Sequence, residues 1–270
     1  MSSTLPKITS IILASAALSF AAEGTEEKEV NSLVSNASIG EVIGNFSASI
    51  SADYESEFIF RGKQLADAVV SPSVNLGYDF GHGFAAYLGW WGCFSTDDYQ
   101  GSNYQEDDLF AGITYTIENF TIDFGYTLYT YASGGSTNEN ELKLCLSYDT
   151  SELMGDFAIS PYVAGYYNFT YDGTVIEAGL SYAAPITKWL INENWATIDL
   201  AVAGGYADYN GGMADGGYAY LMASAGVSVA ITDNWSISVG GRYSCNNDAE
   251  YTLDGRKSNF WLGASTSIGF

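Results

Sequence analysis

The chain ends in the sequence NFWLGASTSIGF, residues 259–270, in which large apolar side chains alternate with small or polar ones. Successive side chains of a β-strand point to opposite faces, so this alternation indicates a strand with one apolar and one polar face. A terminal strand of this kind with an aromatic last residue is typical of bacterial outer-membrane β-barrels, whose last strand pairs with the first because an unpaired edge is unstable in hydrocarbon. We expect the barrel-assembly machinery to recognise its apolar residues Phe260, Leu262, Ile268 and Phe270.

The same alternation recurs from Asn45 onward and predicts a transmembrane antiparallel up-and-down β-barrel. About twelve strands are predicted, an even number as expected for a single-chain bacterial barrel. Short turns alternate with longer polar loops, among them residues 207–217. The connection 185–195 is longer than is usual for a periplasmic turn. It either contains a small helix or means that the strands are miscounted at this point. The predicted strands cover residues 46–61, 70–80, 84–94, 109–117, 120–131, 142–148, 157–167, 174–184, 196–206, 218–231, 235–244 and 259–270.

Charged residues occupy one face of these strands and avoid the other. The first strand places Phe58 and Phe60 on its apolar face, opposite its acids. A charge that faces lipid at the bilayer centre costs about 2–4 kcal/mol for Arg or Lys, so the apolar face is expected to contact lipid. A soluble β-sandwich would show the opposite arrangement. The polar face is predicted to line a water-filled pore, with Asp53, Glu55, Glu57, Arg61, Asp108, Asp123, Lys143, Glu177, Asp199 and Arg242 as its ionisable residues.

The N-terminal segment predicts export. Residues 8–22 form an apolar run that is too short for a spanning helix, follows Lys7 and ends in small residues. These are the features of a Sec signal peptide. The predicted organisation is therefore a signal peptide at 1–22, a flexible acidic periplasmic leader at 23–44 and the barrel at 45–270, located in the outer membrane of a Gram-negative bacterium.

The charge of the chain constrains its partners. The formal net charge is −23, with 32 acidic and 9 basic residues, so nucleic acid is not expected as a partner, because phosphate binding needs clustered Lys and Arg. The expected partners are outer-membrane lipid, lipopolysaccharide and small solutes. The acids at 97–98 and 106–108, interpreted as loop residues, could hold divalent cations, but they lack the spacing of a calcium loop and simple solvation is favoured.

Few residues could support catalysis. The single histidine, His82, stands between two glycines in a predicted turn, which disfavours a Ser–His site. A hydrolytic site made of Asp53, Glu55 and Glu57 is conceivable, but acids on a wet face are more simply a solvated wall. The three cysteines are widely spaced and allow at most one disulfide. We therefore expect neither an enzyme, nor a metal site, nor a cofactor.

Residues 48–62, ASISADYESEFIFRG, resemble the first strand of the TorF-like porins, whose members open with an S-D-Y-x-F-R-G-like motif. Here the motif ends in Phe60, Arg61 and Gly62, with extra residues between the Asp-Tyr at 53–54 and this Phe-Arg-Gly, and Lys63 follows the glycine. Gln64, Pro72 and the pair at 77–78 also match positions where the family places Gln, Pro and a strand ending in an aromatic residue. The resemblance covers residues 48–92 in motif and implies an outer-membrane pore without indicating its solute.

The predicted strand number suggests a narrow lumen. Eight strands enclose only packed side chains, whereas sixteen to eighteen leave a wide channel. Because the predicted inward acids outnumber the inward bases, we expect passive diffusion of small hydrophilic solutes with a weak preference for cations. Acids and bases could instead pair across the lumen and leave a structural or surface-interaction barrel; a membrane hydrolase is a remote third possibility. The inward aromatic residues could form a sugar-stacking path, although filling of the interior is favoured: Tyr87, Trp91, Tyr129, Tyr131, Tyr218, Tyr220 and Trp261.

Overall fold

The computed structural model describes residues 44–96, 104–132, 137–191, 195–211, 214–248 and 255–270. The predicted signal peptide and the predicted leader up to residue 43 lie outside these ranges, and both stay predictions.

Fourteen strands are present in the described part of the chain, and twelve of them form one closed antiparallel barrel in which neighbours in sequence are neighbours in the wall. This confirms the predicted fold class. Two short strands, β2 and β3, pair only with each other. The strands are β1 (Phe46–Glu55), β2 (Phe58–Phe60), β3 (Lys63–Ala66), β4 (Val69–Gly81), β5 (Phe84–Ser95), β6 (Gln105–Ile117), β7 (Phe120–Tyr131), β8 (Glu139–Tyr148), β9 (Ile159–Asn168), β10 (Gly173–Ala184), β11 (Ala196–Gly211), β12 (Ala214–Thr232), β13 (Trp235–Asn246) and β14 (Ser258–Gly269).

The last strand closes the barrel against the first. In the register of β1 and β14, Ser49 pairs with Gly269 and Glu55 pairs with Gly263. The Phe270 amide donates to the Ala48 carbonyl at 2.8 Å. Every barrel strand therefore has two neighbours, which satisfies the backbone polar groups of the wall as a hydrocarbon environment requires.

The outer surface of the wall is apolar. Leu88, Ile113 and Val239 point outward and are 53%, 56% and 59% exposed. Among the described strand side chains, the acids on this outer face are Asp107 and Asp208, and both lie close to the loop end of the barrel. An apolar exterior around a charged interior is the arrangement that lipid favours and water does not.

Two connections at the end of the barrel where β1 begins and β14 ends contain short helices. Between β8 and β9 lie α1 (Ser151–Met154) and a 3-10 turn (Gly155–Phe157), and between β10 and β11 lies α2 (Ile186–Ile191). The small helix predicted within 185–195 is thus present. In the described part of the chain, no helix has the length and apolarity needed to cross a membrane.

Two segments interpreted as loops are in fact strand. Residues 207–217 were predicted as a loop, but β11 and β12 stay paired as far as Gly211 and Ala214. Inward and outward side chains continue to alternate there, and Tyr209 points into the barrel. The acids at 106–108 were also predicted as loop residues, but they belong to β6, where Glu106 and Asp108 face the interior and Asp107 faces outward.

The first predicted strand was too long. β1 ends at Glu55, and residues 58–66 leave the wall to form the β2–β3 hairpin inside the barrel. Phe58 and Phe60 were predicted to face lipid; Phe58 is instead buried in the interior and Phe60 is half-buried beside it. Inside the lumen, the Phe58 ring packs against Trp91 and Tyr104, and the Phe60 ring packs against Tyr129.

Candidate functional site

The β2–β3 hairpin is closed by the two-residue turn Arg61-Gly62. Both residues have positive φ, 46° and 77°, as the central residues of a type I′ turn do. A Cβ atom at Gly62 would lie 2.6 Å from the Cβ of Tyr220 on the barrel wall. Glycine at this position therefore permits both the backbone conformation and the close approach of the turn to β12. The Phe-Arg-Gly motif is the tip of a hairpin inside the lumen.

Aromatic contacts hold one side of the hairpin against β5 and against Tyr104, the residue before β6. The Phe58 ring lies 5.8 Å from that of Trp91 and 5.4 Å from that of Tyr104, centroid to centroid. Ile59 is fully buried in the same cluster. Burial of a large apolar side chain contributes about 1.5–3 kcal/mol, so these two residues anchor the hairpin in the lumen.

Arg61 crosses the lumen to β8. Its two terminal nitrogens donate to the two carboxylate oxygens of Glu141 at 2.8 and 2.7 Å, and one of them also donates to Tyr209 Oη at 2.6 Å. The guanidinium group lies between the rings of Phe60 and Tyr166, 4.6 and 4.5 Å from their centroids. Such a bidentate, stacked arrangement suits arginine and not lysine.

Further polar contacts bind the hairpin to β13 and β14. Lys63 Nζ lies 3.0 Å from an Asp248 carboxylate oxygen. Asn246 Nδ2 donates to the Gly62 carbonyl at 2.7 Å, and Asn259 Nδ2 donates to Gln64 Oε1 at 2.9 Å. The hairpin is thus bonded to opposite sides of the barrel and narrows the loop-end half of the lumen.

Two more ion pairs lie deeper in the lumen. Lys143 Nζ is 2.6 Å from Asp123, which also accepts a hydrogen bond from Tyr87 Oη at 2.9 Å. Arg242 is 3.3 Å from Glu55, and Trp261 Nε1 donates to the same carboxylate at 3.1 Å.

The other predicted lumen acids have neutral partners or lie at the loop end. Glu177 accepts hydrogen bonds from Tyr162 and Tyr220 at 2.8 and 2.6 Å. Asp199 accepts hydrogen bonds from Thr197 and Ser228.

Asp53 lies on the inner face of β1 near Arg242. Glu57 is in the bend before the hairpin, where Asn259 donates to it at 3.0 Å and Arg256 lies 3.4 Å away. In the hydrolytic site considered from the sequence, two of the three carboxylates, those of Glu55 and Glu57, therefore form ion pairs with arginine.

A small cavity of about 60 Å³ remains between the hairpin and the wall. Phe60, Arg61, Lys63 and Leu65 line it from the hairpin. Residues of β6–β9, β11 and β12, and Tyr171 between β9 and β10, line it from the wall. Three wall carboxylates contribute, one from β6 and two from β8. Five tyrosines share the lining: Tyr129, Tyr131, Tyr171, Tyr209 and Tyr218.

The ionisable residues predicted to line the pore lie inside the barrel or at its loop end. Arg61, however, belongs to the hairpin and not to the wall. Glu139 and Glu141 were missed because the predicted strand began at Leu142. Both have the same parity as Lys143, and this shared parity could have indicated that they face the interior. Tyr166 was missed because the apolar residues of β9 fall on both faces. Tyr209 was missed because its segment was interpreted as a loop.

Metal or catalytic sites gain no support from the described side chains. Among the described residues, no group of three or more His, Cys, Asp and Glu side chains is arranged to hold a metal ion. His82 lies in the turn between β4 and β5, with φ of 56°. The three cysteines, all within the described residues, form no disulfide, and Cys93 and Cys145 are buried.

Comparisons with known proteins show the fold. An outer membrane channel from Pseudomonas putida F1 matches with a TM-score of 0.56 at 10% identity, over 83% of this chain and 95% of its own. LpxR from Salmonella typhimurium matches at 0.51 with 7% identity, over 82% and 99%. The NanC porin matches at 0.50 with 9% identity, over 82% and 98%. This chain therefore has the fold of outer-membrane β-barrels.

No protein-family model and no curated protein sequence matches the chain. The resemblance to the TorF-like porins accordingly stays a prediction.

Proposed function

We propose that this protein is an outer-membrane channel through which small hydrophilic solutes diffuse passively. The observation that supports this most is the closed barrel with an apolar exterior and a charged interior. Two of its neighbours in structure are described as an outer membrane channel and a porin. The proposal includes export by residues 1–22, insertion by the barrel-assembly machinery through the C-terminal strand, and contact with lipid and lipopolysaccharide on the outer face.

The charge of the lumen favours cations. Each inward base among the described residues pairs with an acid: Arg61 with Glu141, Lys63 with Asp248, Lys143 with Asp123 and Arg242 with Glu55. Further inward acids form no ion pair with a base in the described part of the chain: Asp53, Glu106, Asp108, Glu139, Glu177 and Asp199. Uncompensated carboxylates raise the local concentration of cations and repel anions. The channel is therefore weakly cation-preferring.

A planar-bilayer measurement tests this proposal. Refolded full-length protein, placed between unequal concentrations of KCl, is expected to give discrete current steps and a reversal potential displaced toward that of K⁺. A displacement toward the potential of Cl⁻ would contradict the cation preference.

The hairpin supports a second candidate, a non-conducting structural or surface-interaction barrel, because it occupies the loop-end lumen. Absence of current steps from protein whose folding is verified by its resistance to unfolding in detergent would favour that candidate. We propose no catalytic role; hydrolysis of lipid or peptide by the same sample would contradict that view.

A further inference from the structure

Two neighbouring connections at the end of the barrel where β1 begins expose large apolar side chains. Leu190 of α2 and Leu153 of α1 are the two most exposed large apolar side chains in the described part of the chain, at 80% and 75%. Phe157, the last residue of the 3-10 turn, is also exposed. A connection that faces only water would carry polar side chains at such positions, and an exposed apolar patch marks a surface that contacts another protein or a membrane.

The two connections form a single surface. The Phe157 ring stacks on the ring of Trp189 in α2, with 5.8 Å between the centroids and 29° between the planes. Beside them, Lys188 forms an ion pair with Asp156. Because this base is paired with an acid, the surface offers no excess of positive charge and depends on apolar contact. Its exposed apolar side chains are here called the apolar patch: Leu153, Phe157, Trp189 and Leu190.

The apolar patch lies on the outer side of the wall. Tyr182 of β10 pairs with Leu200 of β11, which is exposed on the outer face, so Tyr182 also points outward. Its hydroxyl donates to the Asp156 carbonyl at 3.1 Å, which places the 3-10 turn at the outer edge of the rim. Ala184 and Ala196 occupy outward positions where β10 ends and β11 begins, and both are buried. This burial indicates that the connection between them folds against the outer side of the rim.

The rest of this rim is aromatic. Six wall strands begin at this end, and four of them start with an exposed, outward-facing aromatic residue: Phe46 in β1, Phe84 in β5, Phe120 in β7 and Trp235 in β13. The other two, β9 and β11, start with Ile159 and Ala196. Aromatic residues of membrane barrels gather at the level of the lipid headgroups. Phe157 and Trp189 provide aromatic rings in the sector where the wall strands lack them, so the apolar patch continues the lipid-facing surface.

We propose that the apolar patch docks on the phospholipid leaflet at this end of the barrel, with its four side chains at the level of the headgroups and the first acyl carbons. Short connections of outer-membrane barrels face the periplasm, where the leaflet is phospholipid and not lipopolysaccharide. Because Lys188 is paired with Asp156, docking does not require anionic lipid. The inference goes beyond the passage of solutes, since it gives the two helical connections a role in seating the barrel in the membrane.

Site-directed spin labelling tests this with the full chain in phosphatidylcholine vesicles. A nitroxide is attached to Leu190→Cys or to Leu153→Cys after folding, in a Cys245→Ser background; Cys93 and Cys145 are buried. Collisions with oxygen, which concentrates in the bilayer, are compared with collisions with a neutral nickel chelate, which stays in water. Both labels should show an oxygen-to-nickel collision ratio several-fold higher than that of a position in water.

Two further labelled positions set the scale. Asp233→Cys lies in the exposed two-residue turn between β12 and β13, at the same end of the barrel, and should give the ratio of water. Leu88→Cys, at the middle of the outer face of β5, should give the ratio of the acyl chains. The labels on the apolar patch should fall between these two values and well above that of Asp233→Cys.

Two results would overturn the proposal. A ratio at either patch label equal to that at Asp233→Cys would place the apolar patch in water. A label that neither reagent reaches would mean that protein, such as a second copy of this chain, covers the patch. A ratio typical of water at Leu88→Cys would instead contradict the lipid-facing wall itself. None of these readouts depends on conductance, so a failure of the channel proposal and a failure of this one are distinguishable.

Discussion

Arg61 and Glu141 are 80 positions apart in sequence and form a bidentate ion pair in the barrel interior, with nitrogen–oxygen distances of 2.8 and 2.7 Å. Both side chains are buried, at 7% and 2% exposure. The pair joins the tip of the β2–β3 hairpin to the wall strand β8. It therefore couples the position of the hairpin to the stability of the barrel.

Replacing Arg61 should destabilise the barrel and free the hairpin. In Arg61→Met, Glu141 remains buried without its cation, and the free energy of unfolding should fall by about 3–5 kcal/mol. Urea unfolding in lipid vesicles, followed by tryptophan fluorescence, measures this. Arg256→Gln is the control, because Arg256 is 47% exposed in its ion pair with Glu57, and pairs in contact with solvent contribute about 0–1 kcal/mol. An equal loss in both variants would mean that Arg61 does not anchor the hairpin.

Gly62 and Gly81 provide a matched pair of substitutions. Both have positive φ, 77° and 78°, so alanine costs about 1–2 kcal/mol in backbone conformation at either site. Only at Gly62 would the new Cβ meet the wall, at Tyr220; at Gly81 nothing lies within 4 Å. Gly62→Ala should therefore lower the unfolding free energy more than Gly81→Ala and displace the turn. Equal losses in the same assay would show that the turn does not press against β12.

Leu88 tests whether the outer face contacts lipid. It is 53% exposed at the middle of β5. In vesicles, Leu88→Lys should cost about 2–4 kcal/mol of unfolding free energy, while Leu88→Ala loses only part of one apolar contact. A face exposed to water would tolerate lysine at least as well as alanine, and that result would argue against a lipid-facing wall.

Two acids below the hairpin are expected to contribute to ion selectivity. Glu177→Gln and Asp199→Asn, combined, remove two carboxylates that have hydroxyl partners and no base, so cation preference should decrease. The reversal potential under a KCl gradient measures the change. Asp208→Asn, a substitution on the outer face, should leave the reversal potential unchanged. If the outer-face variant shifted the potential as far, selectivity would not arise in the lumen.

The barrel could be predicted from sequence because lipid imposes a simple rule on each wall strand. Leu109 and Ile113 lie on the lipid-facing side of β6, whereas Asp123 of β7 and Lys143 of β8 lie on the lumen-facing side of their strands. Side-chain polarity alone therefore assigns the inner and outer faces. The rule works wherever the two faces of a strand differ in polarity, which those of β9 do not, and it needs no knowledge of contacts distant in sequence.

The hairpin could not be predicted by that rule. Phe58 and Phe60 share the parity of the outward residues of β1, and Glu55, Glu57 and Arg61 share the other, with only Ile59 breaking the alternation. The period-two pattern is therefore nearly the same whether the segment continues in the wall or folds inward. The difference lies in tertiary contacts, above all the rings of Trp91 and Tyr104. The Arg61–Glu141 pair depends on the same inward fold, which is why sequence placed Arg61 on the wall.

The most direct test of the account is the single-channel conductance of the intact protein compared with a variant in which Gly-Ser-Gly replaces residues 58–66. Glu55 and Val69 are already paired in the wall, so the shortened connection can still close between β1 and β4. We predict a small, cation-preferring conductance for the intact chain and a larger one for the variant, because the hairpin narrows the lumen. If the intact protein passed no current, or if the intact protein and the variant had equal conductances, the proposal of a channel narrowed by this hairpin would be contradicted.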